Sequence, residues 1–159
     1  MLHTAAYIIV PIKPAFGRRA RLAGIDDQGQ AVEEHVAEGG EPLRDLMRRA
    51  RPGERILLGS YCPFERSGPY KEYGPIFIAA EAGGEPPPAL PAGEADAYFA
   101  KPFVLRAYSH DERIVDALIT EPADAGTNIA KLFARADAAF ILARFAAYGC
   151  YACRIERRP

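Results

Sequence analysis

The sequence contains little cysteine, little histidine and almost no net charge, and each shortage excludes a class of function. Its 159 residues include three cysteines and three histidines, and the formal net charge is −1. A chain this close to neutral has no overall attraction for nucleic acid or an anionic membrane surface, so we expect neither as a partner. With 49% hydrophobic and 26% charged residues, the composition predicts a globular protein with a single domain over residues 1–159.

Long apolar runs are also missing. The run from Ala5 to Val10 ends at Pro11 and is too short to cross a bilayer. It lacks the basic flank and the cleavage site of a signal peptide. These absences predict a cytoplasmic protein, in which the three cysteines remain reduced thiols.

Motifs of the common catalytic and cofactor sites are absent from the sequence. There is no glycine-rich phosphate loop, no Gly-x-Ser-x-Gly elbow and no kinase signature. His3, His35 and His110 are isolated, and none has a metal-ligand spacing. His110 with Asp111 and Glu112 fits either a proton-transfer group or a hydrophilic hairpin turn. We therefore predict no metal and no cofactor, and we assign no catalytic residue.

Cys150 and Cys153 have the C-x-x-C spacing of redox pairs. Such pairs begin a helix, where the thiol pKa is lowered, whereas a strand is expected to begin here. Residues three apart on a strand point to opposite faces, and Cys62 alone does not complete a zinc site. Packing is therefore the favoured role of both thiols, over redox chemistry or metal binding.

Residues 54–61 give the clearest strand of the first half. Ile56, Leu57 and Leu58 are consecutive and apolar, which indicates a strand covered on both faces and central in its sheet. The other expectations are strands at 5–12, 31–37 and 76–80, a short helix or irregular turn at 15–22, one helical turn at 43–49, and loops at 63–75 and 81–94.

A hairpin is predicted at residues 103–119, with its turn at 109–112. The register that sets apolar residues opposite one another pairs Ala107 with Val115, Leu105 with Ala117, and Phe103 with Ile119. The same register places Arg106 opposite Asp116 on the other face.

A helix and a second hairpin complete the chain. The helix is predicted over 124–136, capped by Asp124 or Thr127, with its apolar residues at helical spacing. The second hairpin has its turn at 146–150, where Gly149 supplies a positive φ. Its predicted pairs are Ile141 with Ile155, Ala143 with Cys153, and Phe145 with Tyr151.

The fold class that follows is α+β, with a mostly antiparallel sheet of six to eight strands, one main helix over 124–136 and short helical turns. If both hairpins join one sheet, arginines project from the face opposite the main apolar set, and their planar forks suit a carboxylate or a phosphate. We expect Asp116 to pair with Arg106, and the loops 63–75 and 81–94 to cover the site. The candidate ligand-binding residues are Arg106, Arg144, Arg154, Asp116, Tyr70 and Tyr73.

A purely structural role is the competing interpretation of these arginines. Long-range carboxylates such as Glu54 or Glu156 would neutralise Arg144 and Arg154 as structural ion pairs. A second basic cluster fits phosphate contact, but interleaved acids favour a solvated ion-pair face. That cluster consists of Arg44, Arg48, Arg49, Arg51 and Arg55.

Several short motifs together resemble a bacterial family known as domain of unknown function 1203. They are Pro42-x-Arg44, Pro52-Gly53-Glu54, Gly74-Pro75-Ile76-Phe77, Leu105-Arg106-x-Tyr108, Arg113-Ile114-Val115-Asp116 and Gly149-Cys150-Tyr151-Ala152-x-Arg154. The resemblance covers the chain from about Gly40 onward. It implies a small bacterial protein of about this length and supplies no reaction and no catalytic residues. Some members carry cysteine where this chain has Leu43 and Leu46, which argues against a thiol-based function.

The sequence therefore favours a binding module for a small anionic ligand or a protein partner, because no nucleophile–base pair or metal set is visible. The alternative is an enzyme that acts on a small polar substrate through an arginine-lined pocket. The sequence is compatible with a homo-oligomer and does not decide the oligomeric state.

Overall fold

The computed structural model describes residues 6–95 and 97–159. Within these ranges the chain forms two five-stranded sheets, two α-helices and one short 3-10 helix, so the fold is α+β. The ten strands are β1 (Tyr7–Val10), β2 (Glu33–Val36), β3 (Pro42–Leu43), β4 (Arg48–Arg49), β5 (Arg55–Tyr61), β6 (Gly74–Ala79), β7 (Phe103–Tyr108), β8 (Ile114–Thr120), β9 (Phe140–Phe145) and β10 (Tyr151–Arg157). The helices are α1 (Pro14–Leu22), α2 (Ala125–Phe133) and the 3-10 helix Pro122–Asp124.

The α+β class and the mostly antiparallel pairing agree with the prediction, but ten strands form two sheets where one sheet of six to eight strands was expected. The first sheet has the strand order β1-β10-β9-β7-β8, and the second has the order β2-β5-β6-β3-β4. All neighbouring strands run antiparallel except β3 and β6, which run parallel. β5 lies inside the second sheet, as its consecutive apolar residues predicted. The strand expected to begin at Ala5 starts at Tyr7, and Ala5 itself lies outside the described residues.

Buried side chains form three clusters, and the largest two lie on opposite faces of the first sheet. One cluster fills the space between α2 and that sheet. A second lies between the two sheets and includes side chains from both, together with α1. A smaller third cluster packs around β3 and β5. We call the face of the first sheet that meets the second sheet its inner face.

Residues 15–22, for which the sequence allowed a short helix or an irregular turn, belong to helix α1. Pro14 occupies its first turn, where the missing N–H costs nothing. Phe16 is buried and meets the ring of Tyr61 edge-on, with centroids 5.1 Å apart.

Residues 43–49 do not form a helix. The Met47 N–H donates to the carbonyl of Leu43 at 2.7 Å, which closes one turn between β3 and β4. Met47 then takes a φ of 50°, a left-handed value from which a right-handed helix does not continue.

The register predicted for the β7–β8 hairpin is wrong over most of its length. Tyr108 pairs with Ile114, as that register requires, but a bulge follows and Ala107 pairs with Asp116 instead of Val115. Arg106 therefore lies opposite Ala117, and its side chain is on the other face from Asp116. One extra residue in one strand shifts every later pair, and nothing in the apolar alternation predicts it.

The β9–β10 hairpin also contains a bulge. The pairs Ile141–Ile155 and Ala143–Cys153 are confirmed, and Gly149 has the predicted positive φ, at 71°. Tyr151 pairs with Arg144 rather than Phe145, because Ala152 is the extra residue.

Helix α2 is shorter than predicted. The 3-10 helix precedes it, and it ends at Phe133 rather than at 136. Asp124 stands at the N-cap but makes no side-chain capping bond, and Thr127 lies inside the helix. Ile129 and Leu132 are buried as predicted. Over the described residues, the structure contains no helix with the length and apolarity needed to cross a membrane.

Candidate functional site

The three candidate arginines project from the inner face of the first sheet. Arg106 pairs with Leu142 on one side, and Arg154 pairs with Leu142 on the other. Arg144 follows Leu142 by two residues, so its side chain has the same direction. The sheet thus presents all three guanidinium groups on one face, as the sequence predicted.

Glu72 brings two of these arginines together. Its carboxylate forms an ion pair with Arg144 Nη2, and its Oε1 lies 3.7 Å from Arg106 Nη1. The exposed fraction of the side chain is 7% for Arg144, 34% for Arg106 and 45% for Glu72. A loop carboxylate at the surface therefore reaches down to a buried guanidinium, and we call these three residues the arginine pair and its carboxylate.

Arg144 has one donor more than its neighbours satisfy. Its Nη1 donates to the Gly149 carbonyl at 3.0 Å, while its Nε has no acceptor among the described residues. Burial lowers the pKa of Arg144, and Cys150 and Tyr151 act in the opposite direction. The buried guanidinium, paired with Glu72 and the Gly149 carbonyl, thus still lacks an acceptor for its Nε donor.

The loop that carries Glu72 is fixed near its start. The Glu112 carboxylate accepts hydrogen bonds from the backbone N–H groups of Glu65 and Arg66, each at 2.9 Å. Phe64 packs edge-on against Tyr108, with ring centroids 5.4 Å apart. The hairpin turn at 109–112 therefore serves as an anchor for this loop.

The other two charged candidates do not join this group. Arg154 Nε donates to Glu156 at 2.6 Å, and its guanidinium lies 3.7 Å from the centroid of the Phe140 ring. The Arg154–Glu156 pair is the structural ion pair that the sequence offered as the alternative to ligand binding. Asp116 lies on the opposite face, 3.8 Å from Arg135, so the predicted Arg106–Asp116 pair is wrong.

The tyrosines and the proline-rich loop do not enclose the arginine pair. Tyr70 and Tyr73 are 38% and 44% exposed. Burial raises the pKa of Tyr108, and Arg106 opposes that shift while Tyr70 adds to it. The proline-rich loop covers a different surface, because Leu90 packs into the cluster beneath α2.

Arg44 was assigned to a solvated face, and the structure buries it. It is 2% exposed, and its three donating nitrogens reach the carbonyls of Tyr151 (2.9 Å) and Pro42 (2.8 Å) and the sulfur of Cys150 (3.0 Å). Arg48 does lie on a solvated ion-pair face, as predicted for this cluster, since it pairs with Glu54 at 2.9 Å. Glu54 is thereby occupied and does not neutralise Arg144.

Comparison with protein-family models identifies one match. Residues 40–157 match the family described as protein of unknown function (DUF1203). The chain belongs to this family. Neither the curated proteins nor the solved structures contain a significant match.

The family match spans the arginine pair, its carboxylate, Arg44 and Cys150, and it leaves out β1, α1 and β2. Two clefts, of about 260 and 280 Å³, are not lined by the candidate arginines, although Tyr73 lines the first, and residues outside the match contribute to both. The first is lined by Asp26, whose carboxylate accepts hydrogen bonds from the backbone N–H groups of Gln28, Gln30 and Ser60. That carboxylate is saturated by its own loop and by β5. Over the described residues, no group of three or more potential metal ligands occurs.

Sequence reasoning missed Glu72 and the contact between Arg44 and Cys150. Glu72 is one acid in a polar loop, and no spacing rule connects it with residues that lie 34 and 72 positions further along. Arg44 stands among other arginines in the sequence, and only its burial, with hydrogen bonds to residues of the distant β9–β10 hairpin, separates it from them.

Proposed function

We propose that this member of the family is a binding module for a small anionic ligand, held by Arg106 and Arg144. Glu72 takes the place of the ligand's anionic group when the site is empty. The observation that supports this proposal is the pairing itself. The single described carboxylate that pairs with the buried Arg144 is half exposed and shared with Arg106.

Charge and hydrogen bonding both favour an incoming anion. Two guanidinium groups face one carboxylate, so the group carries a net positive charge in a partly desolvated position. Arg144 Nε has no acceptor among the described residues, and leaving a buried donor unmet costs about 1–3 kcal/mol. A carboxylate or phosphate, which can accept two parallel hydrogen bonds from one guanidinium, meets both needs.

The position of Glu72 makes replacement feasible. Its side chain is 45% exposed, and no described residue other than the two arginines donates a side-chain bond to it. Its loop is held at Glu65 and Arg66 by Glu112. The carboxylate can therefore leave while the start of the loop stays in place.

The test is a thermal-shift and calorimetric titration with inorganic phosphate, sulfate and succinate. Glu72→Gln removes the competing charge, and we expect it to bind at least one of these anions about tenfold more tightly than the native chain. Arg106→Gln should lose that binding. Arg135→Gln is the matched control, since it removes a paired arginine from the opposite face. Equal behaviour of all four proteins, or no binding of any of the three anions to Glu72→Gln, would overturn the proposal.

A further inference from the structure

We infer that Cys150 is a site of reversible oxidation by hydroperoxides, at which Arg44 holds the reacting sulfur and its oxidised product. The sequence favoured a packing role for this thiol, and the structure places it differently. The inference is independent of anion binding at Arg106 and Arg144, because its contacts are made by Arg44.

The first observation is the partner of Arg44. This guanidinium is 2% exposed, and among the described residues no carboxylate forms a salt bridge with it. Two of its donors meet neutral carbonyl groups, and the third, Nη2, points at Cys150 Sγ from 3.0 Å. Arginine stays charged in proteins, and a buried charge without a counter-charge is costly. The sulfur is the one acceptor around Arg44 that can take up negative charge.

A second observation concerns Arg144. Its side chain is 7% exposed, its Nε is buried without an acceptor among the described residues, and its Nη1 binds the carbonyl of Gly149, the residue before Cys150. Cys150 opposes the effect of burial on the pKa of Arg144 and also on that of Arg49. The Arg144 side chain is thus held beside the residue that precedes Cys150, while Arg44 makes the direct contact with the sulfur.

Access separates Cys150 from the other two thiols. Cys62 is 5% exposed, Cys153 is fully buried, and Cys150 is half-buried at the end of the hairpin. Burial raises the pKa of Cys153, which keeps that sulfur protonated and unreactive. Reactivity requires both access and positive charge beside the sulfur, and of the three only Cys150 combines them.

The chemistry is a two-electron transfer to a hydroperoxide. The thiol proton is lost to water, and the sulfur attacks one peroxide oxygen so that an S–O bond forms as the O–O bond breaks. The leaving oxygen takes up a proton and departs as water or an alcohol. The sulfur is oxidised to a sulfenic acid by two electrons, and the peroxide is reduced by the same two. A thiol reductant reverses the step.

The test exposes the intact chain to hydrogen peroxide at pH 7 in the presence of a dimedone probe, followed by mass spectrometry of each cysteine. We expect Cys150 to be labelled about tenfold faster than glutathione under the same conditions, although it is half-buried. A rate equal to or below that of glutathione would overturn the inference, and so would faster labelling of Cys62 or Cys153.

Variants separate the effect of charge from the effect of access. We expect Arg44→Gln to slow the labelling of Cys150 about tenfold, and Arg135→Gln to leave it unchanged. If Arg44→Gln fails to fold, all three thiols will react alike, and the comparison of the native chain with glutathione still decides. A folded Arg44→Gln protein with native labelling would contradict the inference.

Discussion

Glu72 and Arg144 form an ion pair between an exposed loop and a buried position on β9. The guanidinium is held on its other side by the Gly149 carbonyl. One contact thus ties the loop at 62–73 to the end of the β9–β10 hairpin, and it brings the negative charge of the loop onto a desolvated positive one. Removing either partner should have unequal consequences, because only one of them is buried.

A double-mutant cycle on this pair should show that inequality. Glu72→Gln should destabilise the fold by about 2 kcal/mol, because it leaves the buried Arg144 charge without its carboxylate. Arg144→Met should cost about 1 kcal/mol, because it removes the buried charge itself and leaves only the Gly149 carbonyl and the half-exposed Glu72 carboxylate without a partner. The double variant should be more stable than the sum of both losses predicts. Urea unfolding measures all four proteins, and strict additivity would show that the pair does not interact.

The register of the β7–β8 hairpin gives a second prediction. Arg106→Ala and Asp116→Ala lie on opposite faces, so their effects on the free energy of unfolding should add within about 0.3 kcal/mol. Asp116→Ala and Arg135→Ala should instead be non-additive at low salt, because those two residues lie 3.8 Å apart. Energetic coupling between Arg106 and Asp116 would contradict the observed register and indicate the one expected from the sequence.

The two cysteines of the C-x-x-C spacing should differ in their contribution to stability. Cys153→Ser puts a hydroxyl into the apolar cluster beneath α2 and should cost about 2 kcal/mol. Cys150→Ser should change stability by less than about 0.5 kcal/mol, because the site is half-buried and Arg44 can donate to the new oxygen. Thermal unfolding of both variants checks this, and equal losses would contradict the assignment.

Asp26 should make stability depend on pH in acid. Burial raises the pKa of Asp26, but hydrogen bonds from the Ser60, Gln30 and Gln28 backbone and the charge of Arg19 outweigh burial, so the pKa lies below its ordinary 3.8. A pKa lowered by folding contributes stability that is present above the unfolded pKa and is lost as pH falls through the folded value.

The variant Asp26→Asn isolates that contribution. It should cost about 2 kcal/mol at pH 7, where the native carboxylate keeps its charged hydrogen bonds. The difference in unfolding free energy between native protein and variant should hold from pH 7 to about 4 and shrink below that. A difference that persists unchanged to pH 2 would show that the carboxylate is not stabilised by folding.

Local patterns predicted much of the fold and little of its layering. The apolar alternation of β7 to β10 and the consecutive apolar residues of β5 identified those strands, because both periods report directly on burial. The division into two sheets depends on which strands pair over long distances, as when β3 joins β6 in parallel at Leu43 and Phe77. No periodicity within a segment contains that information.

Prediction of the site failed at the bulges and at the loop. A bulge adds one residue and reverses the face of those beyond it, which moved Asp116 away from Arg106 and Tyr151 onto the face of Arg144. The shared face of Arg106, Arg144 and Arg154 survived, since the β7–β9 ladder contains no bulge and both Arg106 and Arg154 pair with Leu142. The partner of Arg144 came from a loop, where side-chain position follows from tertiary contacts alone.

The proposed site holds an anion between Arg106 and Arg144, in the place that Glu72 occupies. The most direct measurement is the anomalous difference map of a Glu72→Gln crystal soaked in tungstate, a heavy analogue of phosphate and sulfate. We expect a peak within hydrogen-bond distance of both the Arg106 and Arg144 guanidinium groups, and no such peak in an Arg106→Gln crystal. A map with no peak there, or with peaks only at other arginines, would contradict it.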